Sequence, residues 1–246
     1  MNNYLKQIYQ KPKNEFYEQI NNSLKKEKKE FIVTANPETF MISTQDKELE
    51  KIILDKNNLI VPDGIAVVKA CKKIGIDIKE RITGIETCEY LLKLANEQEL
   101  SLYLFGAKEE VLEKLTEKIK KDYPKIKLLG ATSGYVDDKD KIMNEIIKES
   151  PDICLVALGI PLQEKLIAKN INKAKKGIFI GVGGSFDVLS GTKKRAPKLF
   201  IKLNLEWLYR IITEPKRLKR FWNNNVKFLF KISRNEVKKN GKNGSH

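Results

Sequence analysis

The chain has 246 residues, 41% of them hydrophobic and 32% charged, with a formal net charge of +15 and a single histidine, His246, at its last position. That near-absence of imidazole excludes a Ser-His-Asp triad, a histidine zinc site and a histidine base, so acid–base chemistry falls to Asp, Glu, Lys, Tyr or Cys. Residues 193–246 hold 16 Lys/Arg against 3 Asp/Glu, a net of +13, while residues 1–192 carry only +2; such asymmetry points to a polyanionic partner, either nucleic acid or an anionic membrane surface.

The N-terminus MNNYLKQIYQKPKNE does not read as a signal peptide, and no run approaches the roughly 18–20 apolar residues of a membrane span, so a cytoplasmic protein is expected. Residues 1–29 are rich in Lys and Asn, with one amphipathic helix that includes Phe16, Tyr17, Ile20 and Leu24 beneath a solvated lysine face. Phe31–Val33 reads as a short buried strand, ended by Asn36-Pro37, with Pro37 placed at a helix start. Helical spacing covers 38–55, then Leu59–Val61 forms a strand end before Pro62-Asp63-Gly64 and a helix over 65–73. Arg81 to Gly84 turns into a helix reaching Leu94.

Strands over 101–105 and 126–129 are followed by helices reaching Lys121 and spanning 139–149. The run 153–158 is a buried strand, and Gly159-Ile160-Pro161 leads into a helix that starts at Leu162. The last strand, 178–182, breaks into Gly183-Gly184, where glycine lets the backbone approach a ligand and aim N–H groups at an anion. Strands alternating with helices predict an α/β, Rossmann-like, mostly parallel sheet with helices on both faces, ending near residue 192. Residues 193–246 form a basic, amphipathic helical appendage. Its first helix, with Leu199, Leu203 and Trp207, reads as core-packed; its second, with Leu218, Phe221, Trp222, Val226, Leu229 and Phe230 among cations, reads as interfacial. Cys71, Cys88 and Cys154 are widely spaced in apolar segments and read as reduced core thiols.

In open α/β sheets, ligands bind beyond the carboxyl ends of the strands. Thr34, Asn36, Asp63, Gln163, Glu164 and Asp187 all fall there, although each residue type is also a turn former or helix cap. Asp63 follows an apolar strand, where partial burial lifts a carboxylate towards the range of a general base; Pro62-Asp63-Gly64 is equally a simple turn. The glycine spacing after the last strand fails the dinucleotide pattern, with Phe186 where its last Gly belongs, and no P-loop is present. Asp138-Lys139-Asp140 matches a metal-holding DxD in form but sits at a helix start, where acids belong anyway. Arg210, Arg217 and Arg220 suit a bidentate clamp on a diphosphate.

Thr34-x-Asn36, Pro62-Asp63-Gly64, Arg81-x-x-Gly84, Pro161-x-Gln163-Glu164, Gly181 to Gly184 with Phe186-Asp187, Arg195-Ala196-Pro197, Glu206-Trp207-x-Tyr209-Arg210 and Glu214-Pro215 to Arg220 occur in one order. Together they resemble the WecG/TagA/CpsF glycosyltransferases over roughly residues 30–222. The resemblance implies an inverting, metal-independent transfer of N-acetylmannosamine from UDP-ManNAc to GlcNAc on undecaprenyl diphosphate, a step of wall teichoic acid linkage-unit synthesis, with no cofactor. It implies Asp63 as base, Thr34 and Arg81 in the catalytic pocket, and substrate contacts from Asn36, Gln163, Glu164, Gly183, Gly184, Asp187, Arg195, Arg210, Arg217 and Arg220. It implies an enzyme peripheral on the inner face of the cell membrane, an oligomer in solution and a monomer at the membrane. Another UDP-sugar donor, glucose or a uronic acid, and a nucleic-acid-binding α/β protein stay open as alternatives; Phe228, Leu229 and Phe230 suit lipid better than base stacking.

Overall fold

A computed structural model of the chain describes residues 1–233, with the side chains of Arg217 and Arg220 outside that description. Among the described residues six strands, β1 (Lys29–Ala35), β2 (Asn58–Pro62), β3 (Ser101–Gly106), β4 (Lys127–Thr132), β5 (Ile153–Ala157) and β6 (Gly177–Gly181), form one sheet in the order β2-β1-β6-β5-β3-β4. Every neighbouring pair is parallel. Parallel strands need helical crossovers, and these cover both faces.

Helices α1 (Asn2–Leu5) and α2 (Lys13–Lys25) precede β1, and α3 (Pro37–Ser43) and α4 (Lys47–Leu54) join β1 to β2. Next come α5 (Ile65–Lys73), α6 (Gly84–Glu97), α7 (Glu109–Asp122), α8 (Lys139–Glu149) and α9 (Leu162–Asn170), with α10 (Ser185–Leu189) after β6. Alternation along the strands divides the core. Phe31, Val33, Cys154, Val156 and Phe179 face α1, α3, α4, α5, α8 and α9; Ile32, Ile153, Leu155, Ile178 and Ile180 face α2, α6, α7 and α10. The three cysteines are buried and free.

Local chemistry sets the crossover starts. Asn36 and Thr39 form a reciprocal capping box on α3, with Pro37 in its first turn. The expected single helix over 38–55 is two, because the Asp46 side chain caps α4 by accepting from the Glu48 and Leu49 N–H groups. Gly106 closes β3 at φ +124°, and a Cβ there would stand 2.4 Å from the Ala157 carbonyl oxygen.

After α10 the chain runs through α11 (Lys198–Lys202), α12 (Glu206–Thr213) and α13 (Arg217–Phe221), then a π-helical turn, Trp222–Val226, and further helix over 227–233. Here the structure corrects one expectation and adds to another. The stretch read as one core-packed helix breaks at Asn204, which has φ +59°, and none of its residues is buried: Leu199 is 65% exposed and Ile212 62%. The stretch read as interfacial keeps Leu218, Trp222, Leu229 and Phe230 exposed and is anchored as well. Phe228 and Ile232 are buried, and Phe228 stacks on Phe40 of α3 with ring centroids 5.9 Å apart. Sequence periodicity shows an apolar stripe but not whether protein covers it.

Candidate active site

The carboxyl ends of β1, β2 and β6 meet in register, Thr34 beside Val61 and Val33 beside Gly181. Thr34 is buried and its hydroxyl donates to the Gly181 carbonyl oxygen at 2.9 Å, stitching β1 to β6 just below the glycine turn. Asp63 leaves the end of β2 with its N–H bonded to the Ala35 carbonyl at 2.9 Å, so its backbone is fixed to the sheet. The half-buried carboxylate accepts a long 3.4 Å bond from the Gly84 N–H at the start of α6. Burial pushes its pKa up to about 6. The cations Arg210 and Arg81 and the Gly84 bond act in the opposite direction, while Glu206 adds to the rise.

Arg81 faces the appendage. Its Nη1 pairs with Glu206 Oε2 at 2.6 Å, each side chain only 14% exposed, and Nη2 donates to the Ile201 carbonyl at 3.5 Å. Glu206 and Arg210 stand one turn apart on α12 and line a narrow cleft with Ile85, Val188, Arg195 and Tyr209. Arg195 pairs with Glu89 of α6, and its buried Nε has no hydrogen-bond partner. Asp63, Arg81, Glu206, Arg210 and Arg195 therefore gather where the appendage meets the sheet edge. Arg217 and Arg220 lie on α13, and their side chains are outside the description.

Gln163 and Glu164, in the first turn of α9, are fully buried. Gln163 Oε1 accepts from the N–H groups of Gly159 and Gly183, both at 3.1 Å, and its Nε2 donates to Glu164 Oε1 at 2.7 Å. A Cβ on Gly181 would lie 2.6 Å from Gln163 Nε2, so glycine there makes room for the amide. The Gly183 N–H, read in sequence as a donor to an anion, is thus already used by Gln163. Gly184 caps α10.

Asn36 caps α3 with the oxygen of its amide, accepting from Thr39 N at 3.0 Å. The Asp187 carbonyl accepts from Lys193 N and Thr192 Oγ1, which ties down the start of the basic loop. Asp138 caps α8 and Asp140 pairs with Lys169 and Asn170, so the DxD carboxylates have structural partners. Among the described residues no three His, Cys, Asp or Glu side chains are grouped to hold a metal ion, and no helix is long and apolar enough to cross a membrane.

Two members of the cluster, Glu206 and Glu89, were not singled out in sequence as site residues. Glu206 had a signal: it is one of 3 acids in an otherwise basic segment. Glu89 had none, being one of several acids on an amphipathic helix.

Residues 5–242 match the glycosyl transferase WecG/TagA/CpsF family. The chain is 41% identical over 189 residues to the N-acetylglucosaminyldiphosphoundecaprenol N-acetyl-beta-D-mannosaminyltransferase of Bacillus subtilis (strain 168), covering 77% of this chain and 73% of that one. It is 37% identical over 205 residues, 83% of this chain and 80% of the other, to the protein of the same name from Staphylococcus aureus (strain NCTC 8325 / PS 47).

Proposed function

The chain belongs to the WecG/TagA/CpsF glycosyltransferase family, and on that premise we propose that it moves N-acetylmannosamine from UDP-ManNAc onto GlcNAc-diphospho-undecaprenol with inversion, as a step of wall teichoic acid linkage-unit synthesis. Asp63 takes the proton from the acceptor hydroxyl as the oxygen attacks the anomeric carbon, and the bond to UDP breaks on the opposite face. A carboxyl lifted to about 6 is ionised at neutral pH yet more basic than an ordinary aspartate, which is what a general base requires.

The departing diphosphate builds up negative charge, and fixed cations in a half-dry cleft stabilise it without a metal. Arg195 and Arg210 line that cleft, and Arg81 stands behind Glu206. The single observation that carries the reading is this convergence: a fixed, desolvated carboxylate at a strand end, acted on by Arg210 of the appendage and by Arg81.

A lipid acceptor calls for an enzyme at the membrane surface. Exposed Leu218, Trp222 and Phe230, the last 71% exposed, lie among Lys219, Lys227 and Lys231 and support an appendage that rests on an anionic bilayer. We place such a protein peripherally on the inner face of the cell membrane, and propose that it is monomeric there and self-associated in solution. The +13 of residues 193–246 suits nucleic acid as well, but the exposed Leu218, Trp222 and Phe230 favour a lipid surface.

The test is a donor screen with a short-chain GlcNAc-diphospholipid acceptor, reading released UDP with and without EDTA. Release from UDP-ManNAc that survives EDTA is expected. Preference for UDP-glucose or a UDP-uronic acid would overturn the donor, and strict need for a divalent ion would overturn the metal-free mechanism.

A further inference from the structure

The Gln163–Glu164 pair lies below the candidate active site, and its hydrogen bonds constrain one another. Gln163 Oε1 receives two N–H groups, from Gly159 after β5 and Gly183 after β6. An amide nitrogen placed there would oppose two donors, so the nitrogen must face the other way and needs an acceptor. Glu164 Oε1 is that acceptor, at 2.7 Å. The other oxygen, Oε2, is buried and has no hydrogen-bond partner, and the side chain is 0% exposed.

We propose that Glu164 is a positioning residue: by accepting from Gln163 it fixes the amide that ties the β5–α9 loop to the glycine turn after β6, and so holds the shape of the donor's nucleotide pocket. The pocket's identity rests on the proposed function; the tie between the two loops does not. Burial pushes the carboxyl up to about 7; the Gln163 bond and the residue's own N–H oppose the rise, and the Glu38 carboxylate of α3 adds to it. In the protonated form Oε1 accepts and the proton sits on Oε2. Glutamine has the same shape and offers an acceptor at one position and a donor at the other, so it can replace a neutral glutamic acid. Methionine fills the space but accepts only weakly.

The experiment uses the full chain with Glu164→Gln and Glu164→Met, reading amide hydrogen exchange at Gly159 and Gly183, UDP affinity by calorimetry, and donor KM against kcat. Glu164→Met should speed exchange at both glycines, and weaken UDP binding and raise donor KM, by about tenfold, the worth of one buried hydrogen bond, with kcat little changed. Glu164→Gln keeps an acceptor for the Gln163 amide and should retain the parent exchange rates at both glycines. Parent-like exchange in Glu164→Met, or damage in Glu164→Gln equal to that in Glu164→Met, would overturn the proposal. Should Glu164→Met fail to fold, Glu164→Gln decides alone: parent-like exchange supports the tie, and faster exchange sinks it. A parent chain that does not bind UDP would remove the donor reading while the exchange rates still judge the tie.

Discussion

At the scale of single residues, Asp63 carries both a functional and a thermodynamic consequence of burial. Its folded pKa of about 6 lies above the ordinary 3.8, so between those values the folded state holds more proton than the unfolded chain. Its contribution to stability is therefore fullest in acid and is lost as pH rises from about 4 to 6, a cost of about 2 kcal/mol for a half-buried group. Asp63→Asn should remove that cost and raise Tm by a few degrees at pH 8, while turnover falls about 10²- to 10⁴-fold; scanning calorimetry beside UDP release checks both. Retained turnover would remove Asp63 as base. In the parent enzyme kcat/KM should rise with pH to a plateau above about 6. Neutralising Glu206, whose field raises the Asp63 pKa, should move that limb to lower pH, and neutralising Arg210 should move it higher. Parallel shifts in Glu206→Gln and Arg210→Gln would contradict this charge arrangement. Asp63 was legible in the sequence because an apolar run followed by Pro-Asp-Gly puts a carboxylate at a strand end. The tie that Glu164 makes through Gln163 was not, because it joins Gly159 to Gly183, which only the fold brings near.

At the scale of elements, starts were easier to read than packing partners. Asn36-Pro37 announced α3, and the limits of α5 and α8 were legible because helical apolar spacing ran unbroken between turn residues. Tyr4 and Leu5 of α1 were missed, since four residues are too few for a period to show, and their burial comes from α4 and α5. The first helix of the appendage was misread for a different reason: both stripes of the appendage are apolar, and sequence does not show that protein covers Phe228, through Phe40, rather than Leu199 and Leu203. Phe228→Ala should therefore cost about 3 kcal/mol, in keeping with a large aromatic truncated in a core. Faster amide exchange over residues 222–232, with β5 and β6 unchanged, would place the loss in that helix. Exchange unchanged throughout would show that the contact contributes nothing.

Over the whole molecule, the two faces of the sheet are closed by α1 to α10, whereas the described part of the appendage meets the body through separate contacts such as Arg81 with Glu206, Arg195 with Glu89, Lys193 with Asp187, Ser233 with Lys73, and Phe228 with Phe40. Removing residues 193–246 strips away about nine-tenths of the net charge, +13 of +15, and little of the core. The shortened chain should stay folded, with far-UV circular dichroism showing a cooperative transition, because each sheet face keeps its own helices. Its function should be lost for two separable reasons. Without α12, Arg210 no longer acts on Asp63 and the cleft loses one wall, so UDP release should vanish even with a water-soluble acceptor. Without the basic segment, sedimentation with vesicles containing anionic lipid should drop to background. The full chain should bind such vesicles at low salt and release progressively as ionic strength rises and the Debye length shrinks from about 10 Å at 0.1 M to about 3 Å at 1 M. Exposed Trp222 and Phe230 should hold back part of that release, because apolar insertion is not screened by salt. Full release at high salt would make the attachment purely electrostatic, and binding that ignores both salt and lipid charge would move the membrane contact away from the basic appendage.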